Sequence, residues 1–156
     1  MNSVRCRPAP GQPAPEFLLR SHHGETVELA ALAGSPVVVM FFPLAFSRVC
    51  GSELSEVSAR WAEFRESRAA LLAISCDSMH TLRAYAEDLG GVEFDLLSDF
   101  WPHGQVSSGY GVFDQQSGTP HRETFVLDAQ LRVLQNISAD RSQARDLDQV
   151  LGALRI

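Results

Sequence analysis

The segment Pro36–Phe42 reads Pro-Val-Val-Val-Met-Phe-Phe, an apolar run with no polar interruption. A strand with one solvated face alternates apolar and polar residues, so an unbroken run predicts a strand covered on both faces. Leu71–Ser75 (Leu-Leu-Ala-Ile-Ser) repeats the pattern. Between the two runs, Leu54, Val57, Trp61 and Phe64 recur at helical spacing across Glu53–Arg65. After the second, Asp77 or Ser78 is placed to cap a helix carrying Leu82, Tyr85 and Leu89. Buried strands alternating with helices imply an α/β fold, a mostly parallel sheet flanked by helices.

The flanking segments add antiparallel pieces. Glu16–Arg20 and Glu25–Leu29 predict an N-terminal β-hairpin around His22-His23-Gly24. Glu93–Leu97 reads as a short strand. Thr124–Leu127 and Leu131–Gln135, joined through Asp128-Ala129-Gln130, read as a second hairpin. Ala144, Leu147, Val150, Leu151 and Leu154 form one face of a C-terminal helix. The central sheet is therefore expected to be mixed. No linker or repeat interrupts the chain, so residues 1–156 are expected to form a single domain, with residues 1–12 an extended, proline-rich lead-in.

Charge and composition exclude several functions. Thirteen basic against nineteen acidic residues leave a net charge of −6, which argues against a nucleic-acid surface. Every basic residue is Arg, so Schiff-base chemistry and a lysine phosphate loop are absent. Three cysteines, Cys6, Cys50 and Cys76, form no disulfide framework, no CxxC and no zinc spacing. Met1–Phe17 lacks the apolar core of a secretory signal, and Pro36–Pro43 is too short to span a bilayer. A soluble, cytoplasmic protein without a membrane partner is expected. The five histidines are dispersed, with His22-His23 solvated in its turn, so no metal and no cofactor are expected. Arg141 and Arg145, beside Asp140, Asp146 and Asp148, are expected on a solvated charge face.

One residue stands apart from the packing pattern. The first buried strand stops at Pro43, and Cys50 follows at the start of the next helix. A thiol there faces unpaired backbone N–H groups and the positive end of the helix dipole, both of which favour thiolate. Ser47 lies three residues before it, close enough to offer its hydroxyl to the sulfur. The alternative is a small buried core cysteine with Ser47 as a simple cap.

The run Phe41-Phe42-Pro43-Leu44-Ala45-Phe46-Ser47-Arg48-Val49-Cys50 resembles the peroxiredoxin signature, Pro-x-x-x-(Thr/Ser)-x-x-Cys after an apolar strand. Three more segments resemble that family in the same order. Gly11-Gln12-Pro13-Ala14-Pro15-Glu16-Phe17 is similar to its opening, and Ser75-Cys76-Asp77-Ser78 to its Ser-Val-Asp-Ser. Arg122-Glu123-Thr124-Phe125-Val126-Leu127-Asp128 is similar to its Arg-x-Thr-Phe-Val strand. Ser98–Gly104, with Phe42–Phe46, resembles the one-cysteine alkyl hydroperoxide reductase E group.

The resemblance implies a thioredoxin-like three-layer fold and thiol-dependent reduction of hydrogen peroxide, organic hydroperoxides and peroxynitrite. Cys50 would be the peroxidatic nucleophile, becoming a sulfenic acid. Arg122 would stabilise the thiolate and the leaving oxygen, Ser47 would bond the peroxide, and Pro43 would shield the thiolate from water. Glu53 would orient Arg122. Ser47 departs from the commoner Thr, keeping the hydroxyl without the methyl that fixes its rotamer. Trp101 and Phe46 would wall the pocket or pack a subunit interface.

No Cys follows Cys76, and position 55 is Ser55, so two common places for a resolving cysteine are empty. Cys76 reads as an apolar filler, with a partner thiol as the alternative, and Cys6 as idle in its tail. One-cysteine behaviour is expected. The implied partners are an external thiol reductant, either a low-molecular-weight thiol or a mycoredoxin- or glutaredoxin-like protein, and a second copy in a homodimer or larger homo-oligomer. A peroxide sensor or chaperone-like protein signalling through Cys50 oxidation is the competing reading. A disulfide oxidoreductase lacks its motif, because Glu53 stands where the second cysteine would be.

Overall fold

The computed structural model describes residues 6–140 and 145–155. The strands are β1 Leu18–Ser21, β2 Thr26–Glu28, β3 Val37–Phe41, β4 Ala70–Ser75, β5 Asp95–Ser98, β6 Phe113–Asp114, β7 Thr119–Pro120, β8 Glu123–Leu127 and β9 Val133–Ser138. The helices are α1 Arg48–Ala59, α2 Trp61–Glu66, α3 Met79–Asp88, α4 Gln105–Gly109 and α5 Leu147–Leu154. Seven strands form one sheet in the order β2-β1-β5-β4-β3-β8-β9, and β6 and β7 form a separate ribbon. The pairs β3–β4 and β4–β5 are parallel, while β1–β5, β3–β8 and β8–β9 are antiparallel. The mixed sheet expected from the sequence is present, but among the described residues only two of its six pairings are parallel, not most of them as expected, because β1, β2, β8 and β9 all join it antiparallel.

The two apolar runs are central because both their faces are buried. Val38, Met40, Leu71 and Ala73 pack with Leu54, Val57, Leu82, Val150 and Leu151 from the helices. Val37, Val39, Phe41, Leu72 and Ile74 point to the other face, against Phe17, Leu29, Tyr110, Val112 and Phe125. Each fully buried side chain of this size contributes about 1.5–3 kcal/mol relative to exposure. The Tyr110 ring lies 5.2 Å from both Phe41 and Phe125, and its hydroxyl donates to the Pro15 carbonyl at 2.8 Å.

Several elements differ from expectation. The helix read as Glu53–Arg65 is two, because the chain turns at Arg60, where Trp61 stacks on Phe64 at 5.9 Å and meets Phe94 at 5.6 Å. The 3-10 turn Leu29–Leu32, α4 and the β6–β7 ribbon were not legible, being too short to show a period. The expected position of Ala144 on the C-terminal helix lies outside the described residues. The lead-in pairs with β9, Gly11 N–H donating to the Val133 carbonyl at 2.8 Å. His22 is buried, contrary to expectation, since its Nδ1 accepts from the Leu96 N–H at 3.1 Å. No helix among the described residues is long and apolar enough to cross a membrane.

The register gathers one edge of the sheet. Phe41 at the end of β3 pairs with Ile74 near the end of β4 and with Glu123 at the start of β8. Residues just after β3 and β4, and just before β8, therefore share that edge.

Candidate active site

Cys50 occupies the first turn of α1. Ser47 is the N-cap in extended conformation, and its Oγ accepts the Cys50 N–H at 3.2 Å. That bond uses the hydroxyl as acceptor and leaves its proton for another partner. The loop before it is held from β4: Asp77 Oδ2 accepts the Ala45 N–H at 2.9 Å and the Ser75 hydroxyl at 2.7 Å. Phe46 takes a left-handed φ of 65°, uncommon for a bulky residue and maintained by this anchoring.

The Cys50 side chain is fully buried at 0% exposure. Its Sγ accepts from Arg122 Nη2 at 3.3 Å, and Arg122 Nη1 donates to Glu53 Oε1 at 2.7 Å. Glu53 lies one turn after Cys50, so both side chains share a helix face. The structure thus brings Cys50, Arg122 and Glu53 together, with Ser47 at the helix cap. Pro43, Ser47 and Arg122, with Leu44, Arg48 and Val49, line an open cavity of about 350 Å³. Ser117 and Thr119 of the β6–β7 ribbon complete its wall. The turn-forming Gln115-Gln116-Ser117-Gly118 stretch is the sequence signal for this ribbon.

The reading of Arg145 as part of a solvated face is overturned. Its Nε lies 2.8 Å from Glu53 Oε2, and its own N–H donates to the same oxygen at 2.8 Å. Nη1 donates to Thr124 Oγ1 at 2.7 Å and Nη2 to the Phe41 carbonyl at 2.6 Å. Glu53 therefore bridges two buried guanidinium groups. Burial pulls the Arg145 guanidinium below its ordinary value and Glu53 opposes this, so the charge persists. The neighbouring acids concealed the residue: Asp146 caps α5 and Asp148 is exposed, while Arg145 just before them turns inward. Arg141 lies outside the described residues.

Arg145→Met is expected to destabilise the fold by about 3–5 kcal/mol, because it leaves a buried carboxylate and buried acceptors short of a partner. The midpoint of urea unfolding checks this. A midpoint within error of the parent's would contradict the load assigned to the pair.

Cys76 is buried after β4, and burial, then the Asp99 carboxylate, pushes its thiol up to about 12. It is a thiol, not a thiolate, at neutral pH. Cys6 is exposed. Neither Trp101, at 83% exposure, nor Phe46 lines the cavity. Among the described residues, one group could hold a metal by proximity: His22, His23 and Asp95 place ligand atoms within 4.8 Å of one another. The Leu96 bond to His22 Nδ1 leaves the proton of the neutral ring on Nε2, so that nitrogen is not free to ligate.

Residues 10–136 match the model of the AhpC/TSA family. The chain belongs to this family. It is a peroxiredoxin, in the class of thiol peroxidases. It is 44% identical over 119 residues to alkyl hydroperoxide reductase E of Mycobacterium tuberculosis, covering 76% of this chain and 77% of that one. The putative peroxiredoxin in the rubredoxin operon of Clostridium pasteurianum is 32% identical, covering 93% and 86%. Among solved structures, peroxidoxin BcpB of Mycobacterium tuberculosis superposes with a TM-score of 0.83 at 30% identity, covering 96% of this chain and 97% of that one. AhpC of Enterococcus faecalis gives 0.87 at 23% identity, covering 95% and 91%, a likeness of fold. This peroxiredoxin thus has the thioredoxin-like fold.

Proposed function

We propose that this peroxiredoxin reduces hydrogen peroxide and organic hydroperoxides, peroxynitrite among its further substrates, through Cys50. The observation that carries the reading is the Arg122 guanidinium, which joins the Cys50 sulfur at 3.3 Å to the Glu53 carboxylate at 2.7 Å beside an open cavity. The Cys50 thiolate attacks one peroxide oxygen; the S–O bond forms as the O–O bond breaks. The other oxygen leaves as water or an alcohol after taking a proton, or, from peroxynitrite, within nitrite. Sulfur is oxidised by two electrons to a sulfenic acid and the peroxide is reduced.

Two guanidinium groups against one carboxylate leave the buried cluster with a positive charge that a thiolate at Cys50 balances. A thiolate alone does not make a fast peroxidase, because nucleophilicity falls with basicity. Arg122 donates N–H groups where negative charge spreads onto the departing oxygen, and Ser47 has a proton to direct at the peroxide. Pro43 and Val49 offer apolar wall that limits water at the reacting atoms.

Recycling is by one cysteine and an external thiol, a low-molecular-weight thiol or a glutaredoxin- or mycoredoxin-like protein. The buried, unionised Cys76 supports this. A homodimer or larger homo-oligomer is supported by Leu44, Phe46, Phe100 and Trp101, exposed apolar side chains beyond the ends of β3 and β5, the strands on either side of β4. The chain acts as a single domain in the cytoplasm. The test is turnover: a Cys6→Ser, Cys76→Ser double variant is expected to consume peroxide with an added monothiol within about twofold of the parent. Loss of turnover in that variant, with Cys50 still oxidised, would make it a two-cysteine enzyme.

A further inference from the structure

Tyr85, on α3, is buried to 1% exposure, and its hydroxyl has no hydrogen-bond partner among the described residues. The ring is fixed by aromatic neighbours on the active-site loop, with Phe46 at 5.0 Å and Phe42 at 6.3 Å between centroids. The hydroxyl faces the first turn of α1: a Cβ built on Gly51, the residue after Cys50, would stand 3.8 Å from Oη. The absent side chain at Gly51 leaves the space between the phenol and that turn unfilled. Burial first, then the charges of Cys50, Glu53 and Asp77, push the phenol well above its ordinary value, so it is a donor at every working pH.

An unpartnered buried hydroxyl costs free energy, and phenylalanine would fill the same volume without that cost. Tyr110 shows the contrasting case in the same chain, its hydroxyl bonded to the Pro15 carbonyl at 2.8 Å. The cost at Tyr85 is repaid only in a state that supplies an acceptor. Turnover creates one on the helix turn that the hydroxyl faces, the oxygen acquired by Cys50, the residue before Gly51.

We propose that Tyr85 is a positioning residue for the oxidised enzyme, its hydroxyl donating to the sulfenic oxygen on Cys50. The inference rests on the peroxidase reading above. Because the donor bonds the product of oxidation and has no partner in the reduced site, it favours the oxidised cysteine in its enclosed position. It thereby holds the sulfenic oxygen away from solvent until a reductant engages it.

The experiment uses the full-length protein before and after one equivalent of hydrogen peroxide, with intact mass recorded on each sample. The Raman tyrosine doublet reports the hydrogen bonding of the phenol, and Tyr110 supplies the unchanging half of the signal. The doublet is expected to shift on oxidation in the parent and to stay fixed in Cys50→Ser and in Tyr85→Phe. A diketone sulfenic-acid trap is expected to react roughly threefold to tenfold faster with oxidised Tyr85→Phe than with the oxidised parent, the factor one such hydrogen bond is worth. An oxygen gained on Cys50 with an unmoved doublet, or with equal trapping rates, overturns the role of Tyr85 and leaves the peroxidase reading standing. No oxygen gained in the parent overturns the peroxidase reading, and this proposal with it.

Discussion

Cys50→Ser is expected to lower peroxide consumption by about a thousandfold or more, to the level of buffer and free thiol. Serine keeps the helix start and the burial but offers an alcohol, which stays protonated at neutral pH where a thiol can ionise. It also cannot carry the added oxygen. The fold has no other candidate thiol in the site: Cys76 is buried with its acidity suppressed, and Cys6 lies exposed in the lead-in. Peroxide consumption followed with an excess of monothiol checks this. A variant retaining a tenth of the parent's rate would move the chemistry elsewhere.

Arg122→Ala is expected to slow the reaction with peroxide by roughly a hundredfold to a thousandfold, the usual loss when a donor to a developing negative charge is removed. The guanidinium reaches two partners at once, the sulfur at 3.3 Å and Glu53 at 2.7 Å. Removing it also leaves Glu53 with Arg145 as its remaining buried cation, so the fold is weakened as well. Arg122→Lys separates the two effects. It retains the charge without the planar fork, so it should recover stability before it recovers rate. A first-step rate unchanged in both variants would remove Arg122 from the chemistry.

The parts of this site that were legible are those fixed by local pattern. Two apolar runs marked β3 and β4, and the proline after the first marked where Cys50 must begin a helix. Ser47 lay at capping distance, and Glu53 one turn on. Arg122 was legible through its motif, since nothing local to His121-Arg122-Glu123 ties it to residue 50. The residues that were missed act across long chain separations. Arg145 meets Glu53 and Phe41 across about a hundred residues, and its local surroundings of exposed acids signalled the reverse of burial. Tyr85 read correctly as an apolar position on α3, but helical period carries no information about where its hydroxyl ends. Of the two residues read as possible caps of α3, Ser78 takes the role, accepting the Thr81 N–H, while Asp77 holds the active-site loop, a contact no local pattern signals. His22 was taken as solvated because turns usually are, whereas a backbone N–H of the neighbouring strand fixes it inside.

In the proposed mechanism Cys50 takes one oxygen from peroxide and keeps it until an outside thiol removes it. Intact mass after one equivalent of hydrogen peroxide, with the modified residue located by peptide mapping, decides it. The structure predicts the gain of a single oxygen on Cys50, absent in Cys50→Ser and reversed by an added monothiol. Loss of two hydrogens in a disulfide from Cys50 to Cys6 or Cys76, or no change at all, would contradict it.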